Sequence, residues 1–196
     1  MTDTIIDLIR HGEPVGGSMY RGHSIDDPLS DKGWQQMRQA IGKNNQWQHV
    51  VSSPMLRCCE FAKQLADKYN LPMQIEDNFK EVGFGDWEGL TRQQVQQKKL
   101  TEYNNFYRNP VKYRPNNSEQ LDNFINRVVT GYKNTSLQFN QQRVLIVAHA
   151  GVIRAILAHI VGAPDWGLYN FRIANAGISR INETKKEILF INHSFN

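Results

Sequence analysis

The chain predicts an α/β fold of three layers: a mostly parallel central sheet, helices on both faces, and antiparallel strands at one edge. Three observations lead there. Short apolar runs (IIDLI at 5–9, HVVSS at 49–53, RVLIVA at 143–148) alternate with longer stretches whose apolar residues recur every three or four positions. Strands alternating with helices favour parallel pairing. The tail differs, because GISRINE and KEILFIN meet across ETKK as a hairpin, and a hairpin is antiparallel.

The first strand covers residues 4–9, and glycines at 16, 17 and 22 with Pro28 make 12–31 a long loop. Ser30 caps a helix to about Lys43, with Trp34, Met37, Ala40 and Ile41 on one face. After HVVSS, Ser53 and Pro54 supply the cap and first-turn proline of a helix striped by Met55, Cys58, Ala62, Leu65 and Tyr69. MQIED at 73–77 reads as a short strand before the glycine-punctuated EVGFGDWEG. Thr91 caps one helix ending before Pro110, and Ser118 caps another through Leu121, Phe124, Ile125 and Val128 to about Leu137. RVLIVA is the clearest buried strand, Gly151 opens the helix GVIRAILAHIVG, and NFRIA at 170–174 reads as a strand before the hairpin.

With 196 residues, 40% hydrophobic and 21% charged, and no linker or repeat, residues 1–196 read as a single domain with a real core. No apolar run approaches the roughly 20 residues of a membrane span. The N-terminus has no signal-peptide pattern, so the expected location is the cytoplasm. Cys58 and Cys59 are the only cysteines. Being adjacent, they fit neither a disulfide framework nor a zinc pattern and read as buried small apolar residues. The net charge of +4 comes without any run of lysines or arginines, which favours a small-anion site over a nucleic-acid surface.

Ligands of such sheets bind beyond the carboxyl ends of the strands. Arg10 and His11 follow the first strand and His149 follows RVLIVA, each histidine within two residues of a glycine. Gly12 would let the backbone turn close to a phosphate, and the helix opening after His149 offers free N–H groups to an anion. Arg57 lies in a first helical turn, where the macrodipole disfavours a cation unless an anionic ligand is shared. Glu81 sits among apolar and aromatic neighbours that suit a carboxyl to proton donation, with Asp86 and Glu88 as competitors for that role. Glu13 reads as a structural partner for a nearby arginine.

Taken together, LIRHGE at 8–13, DDPLSDKG at 26–33, SSPMLRCCEFA at 52–62, EVGFGDWEG at 81–89 and VAHAGVIRA at 147–155 resemble the histidine phosphatase superfamily, the phosphoglycerate mutase-like enzymes, in the family's order. The resemblance implies a phosphoglycerate mutase-like fold. It makes His11 a nucleophile that is transiently phosphorylated, Glu81 the proton donor, and Arg10, Arg57 and His149 the rest of the phosphate pocket. No cofactor is implied. Carboxylates at metal-ligand spacing are lacking, so no metal is expected. Many relatives carry Ser or Thr at the position of Pro14 and Asn at that of Gly17, which predicts an altered substrate pocket here.

Within the superfamily, GGSMYRGHSIDDPLS and SSPMLRCCEFA most resemble alpha-ribazole phosphatases, which remove the 5'-phosphate of alpha-ribazole phosphate in cobalamin nucleotide-loop assembly. The implied partner is a small phosphorylated metabolite, with neither nucleic acid nor membrane involved and a homodimer left open. Gly17, Arg21, Gly22, Arg108 and Tyr113 are the candidate substrate contacts. The segment 100–117 is expected over the pocket, where Tyr103, Phe106, Tyr107, Arg108 and Tyr113 either hold a nucleoside-like group or pack the segment onto the sheet. Two rival readings share these residues: a phosphoglycerate mutase or phosphatase of another phosphorylated metabolite or sugar, and a catalytically silent binding module for phospho-ligands or nucleic acid.

Overall fold

Strands β1 (Ile5–Arg10), β2 (His49–Ser52), β3 (Met73–Ile75), β4 (Arg143–Ala148), β5 (Ile178–Asn182) and β6 (Glu187–His193) form one sheet in the computed structural model, which describes residues 2–195. Their order is β3-β2-β4-β1-β5-β6. The first four are parallel, while β5 and β6 run antiparallel at the edge as the terminal hairpin requires.

Alternation along the strands sorts the core into two faces. Ile6, Leu8, Val144 and Ile146 meet Phe124 and Val128 of α5 (Leu121–Gln138) and Val152, Ile153 and Ile156 of α6 (Ala150–Ile160). On the opposite face, Ile9, Leu145 and Val147 meet Met37 and Ile41 of α1 (Asp31–Ile41) and Cys58, Phe61 and Ala62 of α2 (Leu56–Tyr69). A smaller cluster of Trp87, Val95, Tyr103 and Phe106 packs α3 (Arg92–Lys98) and α4 (Leu100–Arg108) together.

Several local expectations fail for identifiable reasons. Ser53 is not the cap of α2: Asp26 Oδ1 accepts from Leu56 N at 2.7 Å instead, and Ser53 turns toward the histidines. Ser118 does not cap α5, since its N–H closes a turn on the Pro115 carbonyl at 3.2 Å and the helix begins three residues later without a side-chain cap. The single helix expected after Thr91 breaks at Lys99 (φ −138°, ψ 48°), although Thr91 does form a capping box with Gln94. Cys58 is buried but Cys59 is only partly so. NFRIA is not a strand, because side chains take its carbonyls: Arg154 Nε donates to Phe171 at 2.8 Å, Asn192 to Arg172 at 2.7 Å and Arg10 to Ile173 at 2.8 Å.

Candidate active site

Parallel pairing of β1 with β4 sets Arg10 opposite Ala148, so His11 and His149 leave neighbouring strands at the same end of the sheet. Their ring centroids lie 5.2 Å apart at 65°. His11 Nδ1 is 2.7 Å from the Gly12 carbonyl. A carbonyl only accepts, so the ring proton sits on Nδ1 and Nε2 keeps its lone pair. His149 is fully buried, with Nε2 2.8 Å from Ser53 Oγ. Burial, reinforced by the Arg10 and Arg57 charges, holds both imidazoles well below the usual histidine pKa, and both are neutral.

Two guanidiniums flank these rings, each anchored on loop carbonyls. Arg57, only 1% exposed, donates from Nη1 to Ile25 at 3.0 Å and from Nη2 to Gly22 at 2.8 Å. Arg10 Nη1 donates to Ile173. In both residues Nε is buried and has no hydrogen-bond partner among the described residues. A buried, unpaired cationic donor is costly, and an anion would satisfy it. Arg21 is also buried, pairing through Nε with Asp27 at 2.9 Å and donating from Nη2 to Val15 at 2.6 Å. Burial lowers the pKa of Arg10, partly offset by the nearby Glu81 carboxylate.

Of the three carboxylates considered, geometry brings only Glu81 to the cleft. Its Oε1 accepts from Val82 N at 3.0 Å and its Oε2 from Gly151 N at 3.2 Å, so a backbone amide meets each carboxyl oxygen. Glu88 accepts from Phe84 N at 2.7 Å and Ser24 N at 3.0 Å, tying two loops, and Asp86 pairs with Lys99 at 3.6 Å. Glu13 pairs with Lys32 at 2.9 Å rather than with an arginine. Gly12 also meets a close neighbour within the protein, since an added Cβ would lie 2.3 Å from the Gly33 carbonyl oxygen. Gly22, at φ +56°, leaves no room for a side chain beside Glu88. Arg10, His11, Glu13, Pro14, Gly17, Arg21, Gly22, Arg57 and Glu81 all line one cleft of about 180 Å³.

The model of the histidine phosphatase superfamily (branch 1) matches residues 6–194. The chain belongs to that superfamily. It is 32% identical to the uncharacterized phosphatase PhoE of Bacillus subtilis, over 91% of this chain and 88% of that one. It is 28% identical to the adenosylcobalamin/alpha-ribazole phosphatase of Escherichia coli, over 91% of this chain and 90% of the relative. Among solved structures, a putative alpha-ribazole-5'-P phosphatase from Escherichia coli superposes with a TM-score of 0.82 at 26% identity, covering 97% of this chain and 96% of that one. The α/β architecture is therefore that of the phosphoglycerate mutase-like histidine phosphatases.

Beside the histidine-lined cleft of this superfamily member lies a larger cavity of about 670 Å³. Tyr20 and Phe84 border both spaces, and Phe106, Tyr107, Arg108, Arg154, Trp166 and Tyr169 form much of the larger wall. Arg108 lines this larger cavity rather than the cleft, whereas Tyr113 lies outside both linings and stacks under Arg108 and Lys112. Tyr103 packs in the small core with Trp87. Arg154, Trp166 and Tyr169 escaped the sequence reading because they come from α6 and the turn after it, far in sequence from segment 100–117. Ser53 was read as a helix cap, and only the pairing of β2 with β4 brings it to His149. Among the described residues, no group of three or more His, Cys, Asp or Glu side chains is disposed to hold a metal ion, and no helix is long and apolar enough to cross a membrane.

Proposed function

We propose that this chain hydrolyses a small phosphate monoester through transient phosphorylation of His11 Nε2, without a metal. The observation that carries the reading is the His11 Nδ1–Gly12 carbonyl bond of 2.7 Å, which fixes the tautomer and presents an unprotonated Nε2 in an arginine-lined cleft. Nε2 attacks phosphorus, the ester P–O bond breaks, and Glu81 gives its proton to the departing oxygen. Arg10 and Arg57 hold the equatorial oxygens, where charge stabilisation does most of the work of phosphoryl transfer, and His149, fully buried 5.2 Å from the His11 ring and outside the cleft lining, backs the pocket from within. Water then attacks phosphohistidine, passing a proton to the Glu81 carboxylate as the P–N bond breaks and inorganic phosphate departs.

For the leaving group, alpha-ribazole 5'-phosphate is the favoured substrate. The support is the similarity to the adenosylcobalamin/alpha-ribazole phosphatase of Escherichia coli at 28% identity and an aromatic cavity adjoining the cleft that suits a flat heterocycle. Arg21, Gly17 and Gly22 shape the cleft side of the pocket and Arg108 the cavity side. Incubation with a labelled phosphate ester, followed by quenching in base, should trap label on the wild type and none on His11→Ala. Undiminished turnover by His11→Ala refutes the mechanism. A panel of alpha-ribazole phosphate, phosphoserine, sugar phosphates and 2-phosphoglycerate tests the substrate, and conversion of 2- to 3-phosphoglycerate would instead mark a mutase.

A further inference from the structure

Glu81 is held by more than its own hydrogen bonds. Arg127, on α5, spreads its guanidinium across the segment that carries Glu81. Nη1 donates to the carbonyls of Asn78 at 2.6 Å and Lys80 at 2.8 Å, and Nη2 to that of Glu81 at 3.2 Å. The other edge of the same fork grips Glu119, Nε at 2.7 Å and Nη2 at 2.9 Å. Glu119 Oε2 in turn accepts from Gly83 N at 3.1 Å, two residues past Glu81. Arg114 closes the far side, donating to the Gly83 carbonyl at 3.1 Å and the Glu119 carbonyl at 3.3 Å. His23 Nδ1 meets the Glu81 carbonyl from the opposite loop at 3.0 Å.

The need for this clamp follows from the local backbone. Residues 80–84 belong to neither helix nor strand, so no regular ladder fixes them. A loop residue left to itself samples positions ångströms apart, whereas proton transfer demands heavy-atom separations within about 2.6–3.2 Å. An ion pair that only fastened α5 to the sheet would need one contact. This pair takes four backbone groups between Asn78 and Gly83, which bracket a single carboxyl. A planar fork is also the one side-chain geometry that can hold several carbonyls and a carboxylate at once.

We propose that Arg127 and Glu119 are positioning residues for proton donation by Glu81, fixing the backbone from Asn78 to Gly83 so that the Glu81 carboxyl stays against the Gly151 N–H. The proposal rests on the reading of Glu81 as donor. Neither residue touches the reacting phosphate.

The test compares two esters. The p-nitrophenolate of p-nitrophenyl phosphate leaves without help, whereas the alkoxide of β-glycerophosphate needs a proton. In Glu119→Gln and Arg127→Lys, the single-turnover rate of His11 phosphorylation by β-glycerophosphate should fall about 10- to 100-fold, while that by p-nitrophenyl phosphate changes less than about threefold, a readout that excludes the later attack of water common to both esters. Glu81→Gln should show the same selectivity, and adding Glu119→Gln to it should cost little more, because the two act on one step. Equal losses on both esters, or none, overturn the proposal. If Glu81→Gln shows no selectivity while His11 still traps phosphate, the donor reading has failed and takes this proposal with it. Thermal unfolding of each variant is measured alongside. Should Arg127→Lys unfold, Glu119→Gln, which removes charge without removing volume, decides.

Discussion

Burying two neutral imidazoles 5.2 Å apart makes the fold sensitive to acid in a calculable way. Desolvation, then the neighbouring arginines, depress both His11 and His149 well below the ordinary value of 6.5. In the unfolded chain each titrates near 6.5. Below that pH the unfolded state binds protons that the folded state refuses, so stability must fall as pH drops and recover as it rises. Between pH 7.5 and 5.5 the two histidines together withdraw stability on the order of 1–3 kcal/mol, a large share of a typical 5–15 kcal/mol. Urea denaturation at the two pH values measures this directly. His11→Gln, which removes one of the two groups, should shrink the pH-dependent loss by about half the pair's contribution. If wild type and His11→Gln lose the same stability over that range, His11 titrates alike in both states and its assignment as a permanently neutral nucleophile is refuted.

Three further substitutions probe the surrounding geometry. A Cβ at Gly151 would lie 2.2 Å from Glu81 Oε1. Gly151→Ala should therefore displace the carboxyl by about 1 Å and lower turnover of alkyl phosphates by about 100-fold, with Tm nearly unchanged because alanine favours the helix. Arg57→Lys keeps the charge but cannot reproduce the fork that holds Ile25 and Gly22, so kcat/KM should drop at least about tenfold; an unchanged value would mean that charge alone suffices. Ser53→Ala leaves His149 Nε2 without its 2.8 Å partner, and urea titration should show a loss of about 1–2 kcal/mol.

What the sequence disclosed and what it withheld divide along a physical line. Arg10, His11, Arg57 and His149 could be singled out because each sits at a strand end or helix start that periodicity locates, while the roles proposed for them come from the family resemblance. The choice of Glu81 over Asp86 and Glu88 came from the family resemblance and not from spacing, since all three share one glycine-rich segment and only the docking of α6 sets Glu81 apart. NFRIA has the composition of a strand, yet its carbonyls face arginines rather than a neighbouring chain, and propensity carries no information on that competition. The break at Lys99 was equally hidden, because no glycine or proline lies between Arg92 and Arg108 to mark it. Trp166 and Tyr169 joined the cavity only through the tertiary fold, as did Arg127 and Glu119 around Glu81.

The departure at Gly17 can be turned into a measurement of what this pocket gave up. Pro14 pairs with Leu29, and its carbonyl accepts from Gly17 N at 3.2 Å, closing a turn in which Gly16 and Gly17 adopt φ +82° and +71°. Space is not the obstacle to a side chain at 17, since an added Cβ meets nothing within 4 Å. The cost is conformational, and asparagine tolerates positive φ better than most residues. Gly17→Asn should therefore lower stability by about 1 kcal/mol, or about 2–4 °C in Tm for a chain of this size. In return it places an amide donor at the rim of the cleft, and KM for small phosphate esters should fall several-fold with kcat little changed, as expected of a contact made equally in ground and transition states. A lower Tm with an unchanged KM would mean that residue 17 does not reach the ester, so that the glycine records the needs of the turn and the pocket's selectivity is set elsewhere, at the aromatic cavity behind Tyr20 and Phe84.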